Sequence, residues 1–501
     1  MAEKVLIIGA GISGLSAGCY LQMNGFETAI YEMHSLPGGL CTSWVKDGYK
    51  IDGCIHWLVG TKPGTGFYNL WNELIDMKSL IITDHEIFFR CEDSAGNFIN
   101  FYNNIDQLEN ELLAKAPEDI AVINDYIHAV RKFSRMNLPV PKPRELYTLR
   151  DAFSSLRIMG PYLPAIKKWT NVSIADFASR CKNPLLRKTI ENLFVPEMSI
   201  VFAMITTAWM NNKDAGYPIG GSLEFAKKIE ETYLRSGGQI YYRNKVDKII
   251  VESVNGKSKA SGIITSEGKV EKADYIISAA DGNFTLNELL EGKFTDQKTS
   301  KFYKKSLPFS SYLQLSLGVD RKLISEVPSL IIPLSKPVYI DPSNTINEIK
   351  IRIHNFDPTL APDGKTLISA MILTREDEYW TNLRTDNFEG YKKEKKRIIS
   401  EVIAGAEHRL GPLQSHLEMS DLSTPATVIR YTNNWKGSFE GWVITPETGL
   451  KQLPVTLPDL NNFYMTGQWV APGGGLPTVM MSARGVSQII CKKSKKKFIT
   501  S

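Results

Sequence analysis

The chain has 501 residues, 43% hydrophobic and 23% charged, with a formal net charge of +5. That length exceeds what one hydrophobic core organises, so two interwoven or sequential domains are expected. So mild a charge excludes the concentrated basic stripe of a nucleic-acid binder, and no low-complexity tract signals disorder.

The amino terminus, "MAEK", runs straight into an apolar stretch and leaves no room for a signal peptide. Val5-Leu6-Ile7-Ile8 reads as a short parallel strand buried on both faces. Gly9, Gly11 and Gly14 then fit G-x-G-x-x-G. The first glycine allows a tight turn, the second lets the backbone approach a pyrophosphate, and the third lets the next helix lie close to the strand. The amino end of that helix offers unpaired N–H groups to phosphates. Thr28 to Tyr31 is the next strand, and Glu32 ends it 18 residues past Gly14. An acid there is placed to bind ribose hydroxyls and to repel the 2′-phosphate of NADP. Strand, glycines, helix and acid together predict a dinucleotide but do not separate NAD from FAD.

Further along, a second glycine pair, Gly38-Gly39, precedes "IDGCIHWLVG" at 51–60. Residues 105–133 have helical spacing with a proline break, and 173–194 read as two short helices about Pro184. Residues 149–169 mix apolar side chains with Arg150, Arg157, Lys167 and Lys168. They read either as a surface helix broken by Pro161 and Pro164 or as a segment that dips into a bilayer interface. Strand-like runs at 310–319 and 366–373 predict an antiparallel sheet with helices on one side. The tail carries five lysines within 492–497, a solvated end or an attractor of anionic headgroups. Six cysteines, at 19, 41, 54, 91, 181 and 491, form no CxxC pair and no disulfide framework, which fits a reducing compartment and no metal site. No window approaches the ~20 continuous apolar residues of a membrane span. The expected location is cytoplasmic, with contact at a membrane surface left open.

Three ordered blocks carry a family resemblance: "YPIGGSLEFAKKIEETYLRSGGQIYYRNKVDKIIVE" (217–252) leading to "ADYIISAAD" (273–281), "STPATVIRYTNNWKGSFEGW" (423–442) and "NFYMTGQWVAPGGGLPTVMMSARGVSQII" (462–490). With the opening fingerprint and "IDGCIHWLVG", they resemble the FAD-dependent oxidoreductases related to phytoene desaturase, carotenoid isomerase and retinol saturase. The resemblance implies an α/β fold: a Rossmann-like, doubly wound FAD-binding domain, discontinuous in sequence, beside an α+β substrate domain. The FAD-binding pieces are expected at 1–82, 213–295 and 418–501, and the substrate domain at 83–212 and 296–417.

The resemblance implies one extended FAD. Gly9, Gly11, Ile12, Ser13 and Gly14 would cradle its pyrophosphate and Glu32 its ribose. Gly39 and Leu40 would line its path, Val246 would face the adenine, and Ala279 and Ala280 would close the adenosine side. Gly467, Pro477, Thr478 and Val479 would meet the ribityl chain and flavin. Relatives often carry an acid after the glycine of the closing block, where this chain has Gln468.

The implied activity is desaturation, saturation or cis–trans isomerisation of a carbon–carbon double bond in a long apolar isoprenoid, carotenoid or retinoid-like lipid. Such a polyene needs an apolar tunnel more than acid–base machinery. Phe153, Met159, Tyr162, Trp169, Phe194, Met198, Phe202, Met204, Trp209 and Met210 supply bulk for a tunnel, and equally for an ordinary core. His56, four residues after Asp52, is the one candidate acid or base; a structural hydrogen bond would account for it as well. No second dinucleotide fingerprint is present, so electrons would pass through the substrate site to or from an unidentified partner. Two alternatives stay open: an FAD-dependent amine oxidase, and a non-catalytic prenyl-lipid carrier of the same fold.

Overall fold

The computed structural model describes residues 2–137, 140 and 142–500. The opening apolar run forms β1 (Lys4–Ile8), the centre of a five-stranded sheet. On one side β1 pairs with β2 (Glu27–Tyr31), which pairs with β3 (Gln239–Tyr241); on the other it pairs with β4 (Tyr275–Ser278), which pairs with Phe463–Met465. Every pairing is parallel, so the sheet is assembled from three distant parts of the chain. Val5 and Ile7 pack against the helices Ile12–Met23 (α1), Gly221–Arg235 and Leu476–Lys493. Leu6 and Ile8 point the other way, onto Ile249 and Ile263 of the antiparallel strands Val246–Val254 and Lys257–Thr265. Burial on both faces explains why β1 is apolar at successive positions.

Gly14 fixes how closely α1 approaches β1. A Cβ there would stand 1.9 Å from the Gly9 carbonyl oxygen, so no other residue fits without moving the helix.

The second layer is a seven-stranded sheet in the order Leu417–Ser423, Ser311–Val319, Thr366–Thr374, Asn344–Ile353, Ser329–Asp341, Ile87–Glu92, Phe98–Tyr102. The long helix Phe388–Leu410 buries Ile398, Val402 and Ile403 in the core beneath one face. Leu417–Ser423 falls in the segment expected to open the last cofactor piece at 418. It pairs instead with Ser311–Val319, because Leu422 belongs to the apolar core under this sheet.

A helical lobe with its own core completes the molecule. Its helices include Ile105–Lys115 and Ile120–Phe133 on either side of Pro117, and Pro184–Glu191, capped by the Asn183 side chain. Residues 149–169 form two helices, Leu149–Met159 and Leu163–Thr170, with Pro164 in the first turn of the second. No helix among the described residues is long and apolar enough to cross a membrane.

Candidate active site between the two sheets

A cavity of roughly 1430 Å³ runs from the glycines after β1 to the strand Asn344–Ile353. Gly9, Gly11, Ile12, Ser13, Glu32, Gly39, Leu40, Val246, Ala279, Ala280, Gly467, Pro477, Thr478 and Val479 all line it, as does His56. Gly14 does not, since it faces β1 as described above.

The cradle end is built from backbone. Gly9 has φ +98°, which opens the turn, and Gly11 bridges to Gly38 of the second glycine loop. A Cβ on Gly11 would meet nothing nearer than the Gly38 carbonyl at 3.9 Å, so its position faces open space. Gly11 caps α1 with no side-chain hydrogen bond, which leaves first-turn N–H groups free for an anion. Glu32 is buried at the lip. Its Oε2 accepts from the Ala10 N–H at 2.7 Å and its Oε1 from the His34 N–H at 2.7 Å. Burial pushes its carboxyl above the ordinary range, against the pull of those amides.

The closing block meets this cradle from below. The Ser13 and Thr466 hydroxyls are 2.9 Å apart, Thr466 Oγ1 donates to Ser482 Oγ, and Ser482 Oγ accepts from the Gly467 N–H. Pro477, Thr478 and Val479 lie in the first turn of Leu476–Lys493, whose cap, Gly475, also has no side-chain bond. Gln468 does not stand free: its Nε2 donates to Asn434 Oδ1 at 3.3 Å. Two bare helix amino ends, two facing glycine loops and a buried acid fit an extended, phosphate-bearing cofactor.

Beyond the cradle the lining turns apolar. The helix Ile200–Asn211 presents Phe202, Thr206, Trp209 and Met210 to the cavity, the spacing of one helix face. Trp57 packs edge-on against Phe88 and Phe194, with centroids 5.5 and 5.8 Å away. Of the residues offered for a tunnel, Phe194, Met198, Phe202, Trp209 and Met210 are in place. Met204 and Trp169 are core, and Phe153 is 75% exposed on the outer surface.

Several polar groups went unread in the sequence. Glu440 is enclosed beside the glycines of "PGGG": a Cβ on Gly474 would fall 2.6 Å from its carboxyl carbon. Burial pushes its pKa up to about 8, partly opposed by the Gly475 amide. Asp281, next to Ala280, accepts from the Phe284 and Trp435 N–H groups and is pushed by burial up to about 6. Tyr217 lies between two buried carboxylates, its hydroxyl 3.1 Å from Asp52 Oδ2 and 3.2 Å from Asp357 Oδ2. Lys350 and Arg352 project from the strand Asn344–Ile353, on the face opposite Ile349 and Ile351.

His56 sits on the loop after Tyr49–Asp52, not on a strand, and its ring opens into the cavity. The residue is exposed to the cavity; desolvation by the protein around it, with Arg352 and Lys350 nearby, lowers its pKa to about 3. That shift favours the neutral imidazole over the imidazolium.

A family model described as flavin-containing amine oxidoreductase matches residues 12–491. The chain belongs to the flavin-containing amine oxidoreductase family. It is a flavin-dependent oxidoreductase, and its cofactor is FAD. Within this family it is 24% identical to prolycopene isomerase 1, chloroplastic, of an Oncidium hybrid cultivar, over 95% of this chain and 82% of that protein. It is also 24% identical to the lycopene-forming phytoene desaturase of a Paracoccus species, over 98% of this chain and 97% of the relative. A redesigned putrescine oxidase superposes with a TM-score of 0.62 at 11% identity, covering 98% of this chain and 99% of the other. That last likeness is one of fold.

Proposed function

We propose that this flavoenzyme desaturates, saturates or isomerises a carbon–carbon double bond of a long apolar polyene. The observation that carries the reading is the enclosed apolar wall formed by Trp57, Phe88, Phe194, Phe202 and Trp209, continuous with the cofactor cradle. The names of its family relatives, an isomerase of prolycopene and a desaturase of phytoene, favour the same substrate class.

When bound, the flavin supplies the electron-pair chemistry. The chain's own residues do the rest. We assign Gly9, Gly11, Ile12 and Ser13 to the pyrophosphate, Glu32 to the ribose, and Val246, Ala279 and Ala280 to the adenosine. Gly39, Leu40, Gly467, Pro477, Thr478 and Val479 would line the remaining path, and Gly14 would act by holding α1 in place. The aromatic wall orients the polyene and excludes water. The Glu440 carboxyl holds a proton at pH 7 and is the better candidate for moving one, while His56 offers a neutral ring. Electrons would enter or leave through the substrate cavity.

An amine substrate fits less well, because Lys350 and Arg352 would repel an ammonium in a low-dielectric cavity. A carrier without flavin would have no use for the open cradle around Gly11.

We also infer contact with a membrane surface. The helix Leu149–Met159 buries no residue; Leu149 is 91% and Phe153 75% exposed, next to Arg150 and Arg157. That combination suits an interfacial helix giving a lipid its access.

The test is product analysis by chromatography after anaerobic incubation of oxidised and of reduced holoenzyme with cis and all-trans polyenes, and separately with primary and secondary amines. Altered polyene without amine consumption supports the reading. Peroxide formed from amines in air, with polyenes untouched, refutes it.

A further inference from the structure

The polyene reading leaves two cations unexplained. Arg352 is only 8% exposed, lines the cavity, and has no carboxylate within ion-pair distance among the described residues. Its Nη2 donates to the His56 carbonyl at 3.0 Å, its Nε has no partner, and its guanidinium rests on the Tyr217 and Phe356 rings. Lys350, two residues earlier on the same face, donates from Nζ to the Asn192 carbonyl at 3.2 Å and lies over the Phe89 ring. It too has no acidic partner among the described residues.

The nearby acids make their direct hydrogen bonds to other groups, although Asp52 and Asp357 still act on Arg352 through their charge. Asp52 accepts from the Ser222 N–H and from Tyr217, and Asp357 from Tyr217, the Gly220 N–H and Thr359. Glu348 is taken by Lys188 and Asn192. The histidines around the cations, buried His354, half-buried His85 and cavity-exposed His56, are all shifted toward the neutral form by desolvation and by Arg352, so they add little to the charge. Asp52 and Asp357, both buried, lend Arg352 some counter-charge, but neither reaches ion-pair distance and no carboxylate pairs with Lys350 among the described residues, so the two cations can still take an anion between them. Residues two apart on a strand face stand roughly 7 Å from each other, a gap that one carboxylate spans.

We propose that Arg352 and Lys350 form a subsite for a carboxylate at the end of the substrate, so that the natural ligand is a polyene acid and not a bare hydrocarbon. This rests on the polyene reading above and narrows it.

Equilibrium dialysis of the FAD-loaded protein with all-trans-retinoic acid and with all-trans-retinol tests it, since the two differ only in the terminal group. The acid should bind about tenfold or more tighter than the alcohol, the margin expected of charge-assisted hydrogen bonds. Arg352→Met and Lys350→Met should each reduce that preference with retinol affinity unchanged, and Arg352→Lys should restore part of it. Should Arg352→Met fail to fold, judged by lost flavin absorbance, Lys350→Met decides alone. Equal affinity for acid and alcohol overturns the subsite and leaves the polyene reading standing. A preference that survives in the variants overturns it as well, whatever happens to their flavin. If neither ligand binds, both readings fall.

Discussion

The hydroxyl of Ser13 lies 2.9 Å from the hydroxyl of Thr466, across 453 residues of sequence. Through Thr466 and Ser482 this contact ties the first turn of α1 to the first turns of the carboxy-terminal helix. Both helix amino ends therefore face the same cavity in a fixed relation. Thr466→Val removes the centre of the chain and leaves buried Ser13 with the Val479 carbonyl, 3.2 Å away, as its remaining partner. A loss of about 1 kcal/mol is expected in urea unfolding, together with weaker FAD retention. An unchanged midpoint would show that the two ends are held by other contacts.

Gly11 and Gly14 separate cofactor contact from scaffold. Gly11→Val projects methyl groups into the open cradle, so the protein should fold yet purify without flavin absorbance. Its melting temperature should match that of wild-type protein stripped of FAD. Gly14→Val drives a side chain into the Gly9 carbonyl, and should lower stability even against that apo reference. Equal behaviour of the two variants in a thermal melt contradicts the assignment.

Glu440 sets a pH dependence whose sign is fixed. Its folded pKa, raised to about 8, lies above its ordinary 4.5, so the folded state binds the extra proton between those values. The stability it contributes is complete below pH 4.5 and is lost as pH rises through 8, with a ceiling of about 1.4 kcal/mol per pH unit for one proton. Glu440→Gln should flatten that part of the stability profile. A variant whose slope from pH 5 to 8 equals that of the wild type would place the titration elsewhere.

The exposed face of Leu149–Met159 gives a prediction free of folding effects, because none of its residues is buried. Phe153→Glu and Leu149→Glu should leave the melting temperature within about 1 °C, since surface changes of this kind cost little. Both should reduce flotation with vesicles containing anionic phospholipid. Undiminished flotation would assign the membrane contact to the lysine-rich tail or another surface.

The strand–helix–strand unit at the cradle was legible because its signals are local: glycines at 9, 11 and 14 and an acid at 32 mark its turns. Helix breaks at Pro117 and Pro184 were legible for the same reason, since proline acts on its own neighbours. The substrate end was not. "NEIKIRIH" at 347–354 alternates as a strand should, yet its Lys350 and Arg352 face reads as solvated until the cofactor layer covers it. Glu440 was hidden because its burial depends on glycines at 473–475, which are distant in sequence. The sheet joined by Leu417–Ser423 is not written in its seven residues, which pair with Ser311–Val319 although the last cofactor piece is expected to open at 418.

The central claim is flavin chemistry on a polyene, and anaerobic absorbance spectroscopy of the holoenzyme reads both partners at once. Mixing dithionite-reduced protein, freed of excess dithionite, with a cis or all-trans polyene should change the polyene band. The flavin band should return in step if the bond is saturated, and stay bleached if it is isomerised. Oxidised protein that bleaches while the polyene band shifts to longer wavelength would mark a desaturase. Polyene and flavin bands that stay unchanged in both redox states, while amines reduce the flavin, would contradict the account.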